Sequence, residues 1–184
     1  MNFIFTGCAG AGKTTLINHL ATQGYTCYEE VSRKVIKEQV HQQSNAVPWK
    51  DTVAFCHLTL QRMLENMPII SNKVCFSDRG LPDLIAYLAA VQHPIPEAYY
   101  QALRQAHYAS TAFLFPPNER IYINDNERQE SFEQAVYFFK AIKETYQTLG
   151  FQLIVVPFGS IEQRATAVQN AIYHRTYKIQ NNII

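Results

Sequence analysis

Residues 5–20 read FTGCAGAGKTTLINHL, and this stretch decides the fold. Its residues 7–14, GCAGAGKT, match the pattern GxxxxGK followed by Ser or Thr, which is typical of a phosphate-binding loop. An apolar run at residues 2–6 precedes the loop, and apolar residues at helical spacing follow it. A strand, a glycine-rich loop and a helix in this order are the context that the pattern requires. We therefore predict that the chain binds a phosphate group here.

The glycines of this loop allow successive backbone N–H groups to point toward one anion. The helix that follows adds the partial positive charge of its N-terminus. Lys13 is expected to reach the β- and γ-phosphates of a nucleotide, and the Thr14 hydroxyl is expected to ligate Mg²⁺. The predicted nucleotide-binding residues are Gly7, Ala9, Gly10, Ala11, Gly12, Lys13, Thr14 and Thr15.

Strand-like apolar segments recur along the rest of the chain, at residues 25–28, 74–77, 111–115 and 152–157. The stretches between them are long enough for helices, two of which begin with the capping-box patterns Ser131-x-x-Gln134 and Ser160-x-x-Gln163. This alternation predicts an α/β fold with a parallel sheet covered on both faces. We expect one domain over residues 1–176 and a short C-terminal tail over residues 177–184.

A carboxylate follows the strand-like run at residues 74–77. Asp78 is placed as a Walker-B aspartate, which reaches a metal ion through Thr14 or through water. Motor-type ATPases commonly place a glutamate after this aspartate, whereas Arg79 stands here, a cation suited to binding phosphate or a negatively charged acceptor. The pair favours phosphoryl transfer over hydrolysis. A Ras-like GTPase is disfavoured because residues 78–81 do not form DxxG and residues 72–75 do not form NKxD.

Glu30 and Arg33 follow the strand predicted at residues 25–28. Residues that follow a parallel strand lie at the carboxyl edge of the sheet, where ligands of open α/β sheets bind. Glu30 could accept the proton of an attacking hydroxyl or hold the sugar of an acceptor, and Arg33 could bind an anionic group. The alternative is an ordinary acid–base pair at the surface, which would contribute little.

Residues 116–128 form a polar, arginine-bearing segment after an apolar strand, and we interpret them as part of a flap, or lid, over residues 116–130. Closure would bring Arg120 or Arg128 onto the γ-phosphate. The alternative is a solvated surface loop. Tyr122 on this segment is a candidate for stacking on a base, whereas Trp49 and the six histidines are assigned to packing or to the surface.

The bulk composition points to a small-molecule partner. Sixteen basic and fifteen acidic residues leave a formal charge of +1, so no strong field would attract nucleic acid or an anionic membrane. The four cysteines have no CxxC spacing and are expected to be reduced. No apolar run is long enough for a membrane span, and we expect a cytoplasmic protein that is a monomer or a dimer.

These motifs together resemble a family. The segments GCAGAGKTT, EEVSRKVIKE, DTVAFCHLTLQRML, FSDRGLPDLIAY, FLFPPNERIYINDNER and VPFGSIEQR occur in that order. Nearly end to end, the chain resembles the small P-loop domains labelled AAA-family ATPases, a group that includes the ribosylnicotinamide kinase domain of NadR. The resemblance implies a nucleoside-kinase-like three-layer fold with five parallel strands in the order 2-3-1-4-5. It also implies ATP and Mg²⁺ at the loop and a lid bearing Arg128.

The motifs and the resemblance together give expected roles for individual positions, of which the resemblance itself implies those of Lys13, Thr14, Glu30, Arg33, Asp78 and Arg128. Lys13, Glu30, Asp78, Arg79 and Arg128 are the expected catalytic residues, and Thr14 and Asp78 the expected metal ligands. Glu30, Arg33, Arg79 and Asp83 are expected to bind substrate, while Arg120, Pro157 and Arg164 are expected near the nucleotide.

Two functions remain open at this stage. The first is a phosphotransferase that uses ATP, or GTP, with Mg²⁺ and acts on a small hydroxyl-bearing acceptor such as a nucleoside or nucleotide. The second is a nucleotide-dependent binding switch or slow NTPase that recruits a protein or lipid partner.

Overall fold

The computed structural model describes residues 1–66, 73–122 and 131–181, with side chains placed up to residue 173. Five strands lie close to the predicted segments: β1 Asn2–Gly7, β2 Thr26–Tyr28, β3 Cys75–Asp78, β4 Tyr108–Phe115 and β5 Gln152–Val155. The helices between and after them are α1 Lys13–Thr22, α2 Val31–His41, α3 Thr52–Glu65, α4 Leu81–Ala90, α5 Glu97–Gln105, α6 Phe132–Thr148 and α7 Ile161–Asn181. A short 3₁₀ turn spans Glu119–Ile121.

The five strands form one parallel sheet in the order β2-β3-β1-β4-β5. This confirms the predicted class and strand order. In the register of the sheet Phe5 lies opposite Asp78, and Gly7 lies opposite Phe115. The loops that follow β1, β3 and β4 therefore begin side by side at the carboxyl edge, which is where ligands of open α/β sheets bind.

The two faces of the sheet are buried in two separate cores. Along β1, Phe3 and Phe5 point to one face and Ile4 points to the other, as the two-residue period of a strand requires. Phe3 and Phe5 join a cluster covered by α1 and α7, within which the Phe5 and Phe115 rings are 5.1 Å apart. Ile4 joins the cluster covered by α2 to α6. A sheet buried on both faces explains why its strands read as continuous apolar runs.

The predicted capping boxes are present at both helix starts. The Ser131 hydroxyl accepts from the Gln134 N–H at 3.2 Å, and Gln134 Oε1 accepts from the Ser131 N–H at 2.8 Å. Ser160 and Gln163 pair in the same way at the start of α7. Helix α7 continues to Asn181 and so enters the segment predicted as a tail.

Two further observations concern the chain as a whole. The described helices include none that is both long and apolar enough to cross a membrane. Cys8, Cys27, Cys56 and Cys75 are free cysteines in this structure.

Candidate functional site

The loop between β1 and α1 is held by three cations on its carbonyl oxygens. Arg79 donates to Gly7 O at 3.2 Å, Lys13 Nζ donates to Cys8 O at 2.8 Å, and Arg164 donates to Ala11 O at 2.9 Å. With these three carbonyl oxygens bound, and with the Cys8 and Ala11 N–H groups bonded to Phe115 O and Cys8 O, the loop can offer a ligand its remaining amide donors. A ring of donors at a helix N-terminus is suited to binding an anion.

Two glycines of the loop are required by its geometry. Gly7 has a φ of 118°, and a Cβ at this position would collide with the backbone of Phe115. Gly12 has a φ of 77°, and a Cβ there would lie 2.7 Å from Arg164 Nη1. The loop therefore depends on close backbone approach to β4 and α7, which only glycine allows.

Thr14 and Asp78 meet at the end of β3. The Thr14 hydroxyl donates to Asp78 Oδ2 at 2.6 Å, while Asp78 Oδ1 is buried without a hydrogen-bond partner among the described residues. Burial raises the pKa of Asp78, and the charge of Glu30 raises it further, against the effect of Lys13. A divalent cation would favour the ionised carboxylate. This pair of oxygen ligands fits Mg²⁺, which keeps several waters and phosphate oxygens besides its protein ligands.

Lys13 is buried at the start of α1. Burial lowers the pKa of Lys13 to about 8, and the nearby charge of Arg79 lowers it as well, while Asp78 and Glu30 oppose the shift. A lysine ammonium held out of water lacks a full set of partners. An anionic ligand at the loop would supply them and raise this pKa again.

Glu30, at the N-terminus of α2, is paired with Arg79, which follows β3. Arg79 Nε donates to Glu30 Oε1 at 2.9 Å, and the Ser32 hydroxyl donates to the same oxygen at 2.8 Å. Burial opposes ionisation of Glu30, but the charges of Arg79 and Lys13 outweigh it, so its pKa lies below the usual carboxyl value. The second oxygen, Oε2, lies 3.9 Å from Arg33 Nε, too far for a hydrogen bond. Glu30 is therefore an ionised carboxylate with one oxygen fixed and the other able to accept a proton.

Asp83 on α4 accepts two hydrogen bonds at each carboxylate oxygen. Its Oδ1 accepts from Thr6 at 2.7 Å and from Arg79 at 3.0 Å. Its Oδ2 accepts from the Gly80 N–H at 3.0 Å and from the Tyr146 hydroxyl at 2.6 Å. Arg79 has the left-handed φ of 65°, so its backbone conformation is one that its surroundings must enforce. Asp83 thus fixes the guanidinium that in turn fixes Glu30.

Tyr146 on α6 joins this network through its hydrogen bond to Asp83. Burial raises the pKa of Tyr146 well above its ordinary value, and the charge of Asp83 adds to the shift, so the hydroxyl stays protonated and donates. Tyr146 is not among the site residues predicted from the sequence. No local pattern marks a tyrosine whose partner is 63 positions away in the chain.

Removal of the Tyr146 hydroxyl should destabilise the fold. We expect Tyr146→Phe to lower the free energy of unfolding by about 1–3 kcal/mol, because a buried carboxylate oxygen loses a donor. Urea denaturation followed by circular dichroism measures this difference. Tyr137→Phe is the matched control, since Tyr137 lies on the same helix, is exposed and donates to Ala90 O at 2.7 Å. Equal stability losses for the two variants would contradict the role given to Tyr146.

These groups line one cavity of about 260 Å³ at the carboxyl edge of the sheet. Ten of the predicted residues line it: Ala9, Gly10, Gly12, Lys13, Thr14, Thr15, Glu30, Arg33, Arg79 and Asp83. Asp78 lies directly behind them through its hydrogen bond with Thr14. Gly7 and Ala11 complete the loop, and Arg164 lies against it with its guanidinium carbon 5.0 Å from the centre of the Phe115 ring.

Three other predicted residues are not brought to this cavity by the described part of the chain. Arg120 is exposed on the 3₁₀ turn, and Pro157 is exposed after β5. Arg128 and residues 123–130 of the predicted lid lie outside the described residues. Nucleotide-binding roles for Arg120 and Pro157 and a catalytic role for Arg128 stay predictions.

The cavity also has an apolar wall that sequence analysis missed. Its apolar lining residues are Ile36, Pro48, Trp49, Phe55, Met63, Leu84 and Tyr87. Leu84 and Tyr87 follow Gly80 and Asp83 at positions i, i+3, i+4 and i+7, so α4 turns one continuous face toward the cavity. This helical spacing could have been used to predict from the sequence that Leu84 and Tyr87 face the site. Trp49, which sequence analysis assigned to packing, lies in the loop before α3 and carried no such signal.

Solved structures with this fold include nucleoside and nucleotide kinases. Deoxyadenosine kinase from M. mycoides matches with a TM-score of 0.65 and 14% identity, covering 95% of this chain and 99% of that one. Thymidylate kinase from Candida albicans matches with a TM-score of 0.65 and 15% identity, covering 95% and 92%. Thymidylate kinase from Ehrlichia chaffeensis gives a TM-score of 0.60 at 14% identity, covering 94% and 98%. At these identities the similarity establishes the fold.

The sequence itself also matches a family. No curated protein matches the chain. A family model described as "AAA domain" matches residues 2–164, which include the phosphate-binding loop, the Asp78–Arg79 pair and all five strands. Because the match covers most of the chain, it confirms the resemblance inferred from the motifs. The chain therefore belongs to the AAA domain family.

Proposed function

We propose that this protein is a phosphotransferase that uses ATP and Mg²⁺ to phosphorylate a small hydroxyl-bearing acceptor. The observation that carries the proposal is the single cavity onto which the loop residues Lys13 and Thr14 and the Glu30–Arg79 pair all open. One end of the cavity has the donors that a triphosphate needs, and the adjoining part has an ionised carboxylate. The proteins of known structure that share the fold include deoxyadenosine kinase and thymidylate kinase.

The loop and its cations would bind the donor nucleotide. The amides and Lys13 would hold the β- and γ-phosphates, and Thr14 and Asp78 would hold Mg²⁺. Magnesium, when bound, neutralises charge on the phosphate oxygens. Arg79 would contribute mainly by fixing Glu30, since its Nε and Nη1 atoms are already bound to protein acceptors.

Glu30 would act as the base toward the acceptor. The acceptor hydroxyl oxygen forms a bond to the γ-phosphorus while the bond from that phosphorus to the β–γ bridging oxygen breaks. The hydroxyl proton passes to Oε2 of Glu30, and the products are a phosphate monoester and a nucleoside diphosphate. Positioning and charge stabilisation supply most of the catalysis in reactions of this type.

The cavity continues beyond the loop to Ile36, Phe55 and Tyr87, which supports a small acceptor bound beside the nucleotide. Its volume of about 260 Å³ is just below the roughly 300–1,000 Å³ of typical small-molecule sites. The alternative function, a nucleotide-dependent switch for a protein or lipid, has no comparable support in the described residues. The narrower likeness to the ribosylnicotinamide kinase domain of NadR and the cytoplasmic location stay predictions.

An acceptor screen tests the proposal. The full chain is incubated with Mg²⁺ and γ-labelled ATP, or GTP in a parallel series, and with pools of nucleosides, nucleotides, sugars and vitamins. We expect one acceptor class to accelerate label transfer strongly above the rate without acceptor. Slow hydrolysis that no acceptor changes would overturn the proposal.

A further inference from the structure

The cavity is polar where it meets the sheet and apolar further out. On α4, Asp83 lies in the first turn, and Leu84 and Tyr87 line the cavity further along the helix. On α2, Ser32 and Arg33 lie at the start, and Ile36 lines the cavity about one turn later. Because both helices begin at the carboxyl edge of the sheet, the same change in polarity occurs along both walls.

Trp49 contributes the largest side chain of the apolar part. It is partly buried against the same core as Phe55 and Tyr87, and it lines the cavity with them. Its loop is fixed on both sides: Val47 is buried and accepts from the Lys50 and Asp51 N–H groups, and Pro48 O accepts from Thr52 at 2.8 Å. The indole is therefore held by a short, hydrogen-bonded turn, and it forms part of the cavity wall before any ligand binds.

The described lining residues offer few polar side chains that could hydrogen-bond to the edge of an aromatic ring in the acceptor. They include no asparagine, glutamine or histidine side chain. Of the charged lining residues beyond the loop, Glu30, Arg79 and Asp83 are bonded to one another through Arg79, and Arg33 lies beside Glu30 at the start of α2. An acceptor that extends from Glu30 into the apolar part would meet mainly aromatic and aliphatic side chains, of which Trp49 and Tyr87 each carry one polar group.

We propose that the acceptor carries an aromatic ring that stacks on Trp49. The apolar part of the cavity would then recognise the ring by contact with its face rather than by hydrogen bonds to groups at its edge. The inference rests on the proposed function for the position of the reacting hydroxyl, which lies at Glu30. It makes Trp49 a specificity-determining residue. The class of acceptor is then an aromatic riboside or a similar alcohol, recognised with broad tolerance for the substituents on the ring.

Tryptophan fluorescence tests ring binding without any need for catalysis, because Trp49 is the only tryptophan in the chain. The full chain is titrated with adenosine, inosine and purine riboside, which share a ring system and differ in its hydrogen-bonding edge. Glucose and glycerol serve as non-aromatic alcohols. We expect saturable quenching by all three ribosides, with dissociation constants within about tenfold of one another, and none by the two alcohols.

Variants separate a specificity role from a structural one. Once a riboside acceptor is known, Trp49→Leu should raise its KM by roughly tenfold to a hundredfold, in the range of one lost stacking contact. The kcat of Trp49→Leu should stay near the wild-type value. Trp49→Phe, which keeps an aromatic ring, should have a KM close to that of the wild type. Tyr100→Leu is the control, because Tyr100 packs against the same core without lining the cavity.

The outcomes distinguish this inference from the proposed function. Phosphoryl transfer to a non-aromatic alcohol with no quenching by ribosides would overturn the inference and leave the kinase function standing. Quenching by ribosides without transfer to any acceptor would overturn the kinase function and would support only ring binding at Trp49. No quenching and no transfer would overturn both. A loss of about 10⁴-fold on changing one edge group would show that the site reads hydrogen bonds and would overturn recognition by the ring face.

Discussion

Glu30→Gln is expected to lower kcat for phosphoryl transfer by about 10²–10⁴-fold, the usual contribution of a general base. Glutamine keeps a carbonyl oxygen that can accept from Arg79 and Ser32, as Glu30 Oε1 does at 2.9 and 2.8 Å. It replaces Oε2, the oxygen assigned to proton transfer, with an amide that cannot take a proton. The substitution therefore removes basicity while it retains most of the local hydrogen bonding. Steady-state kinetics with the acceptor found in the screen measure the effect.

Glu29→Gln is the control that the chain itself offers. Glu29 is the neighbouring carboxylate, is exposed and pairs with Lys34 at 2.6 Å on the surface. Its substitution should leave kcat unchanged, since exposed ion pairs contribute little. Nucleotide binding by calorimetry should be similar in the wild type and in both variants. Equal kcat values for the two variants would show that Glu30 is a structural partner of Arg79 and not the base.

The strands of the sheet could be predicted because their signals are local. Each strand is a short apolar run bounded by polar residues. On β1, Phe3 and Phe5 are buried on one face of the sheet and Ile4 is buried on the other, so the run lacks the apolar–polar alternation of an amphipathic strand. The loop after β1 is likewise a contiguous motif whose glycines are required by positive φ angles. The strand order itself came from the family resemblance rather than from the strands.

The candidate site could be predicted only where a residue follows directly on a strand or motif. Lys13, Thr14, Glu30, Asp78 and Arg79 all meet this condition, and the parallel sheet brings them to one edge. Tyr146 and Trp49 do not meet it, because Tyr146 lies on α6 and Trp49 in the loop before α3, and both reach the site by packing in the core that contains Ile4. Asp83 is an intermediate case, since its motif marked it but its four internal donors were not foreseen.

Lys13→Met is expected to lower kcat/KM for the donor nucleotide by about 10²–10³-fold, the loss typical of one pre-positioned charged donor. Methionine is similar in length to the aliphatic part of lysine, so the buried position stays filled while the charge is removed. Lys34→Met removes one positive charge from the exposed Glu29–Lys34 pair and controls for net charge. A Lys13→Met variant as active as Lys34→Met would contradict the assignment of the loop.

The pH dependence of nucleotide binding isolates the ammonium of Lys13. With its pKa at about 8 in the free protein, Lys13 loses its proton as the pH rises through 8, and binding a triphosphate must then restore it. Because the bound state holds more protons than the free state, wild-type affinity should fall above pH 8, by at most tenfold per unit. Calorimetry in buffers of different ionisation heat should detect this proton uptake in the wild type and none in Lys13→Met. Uptake that persists in the variant would place the titrating group elsewhere and would contradict a pKa of about 8 for Lys13.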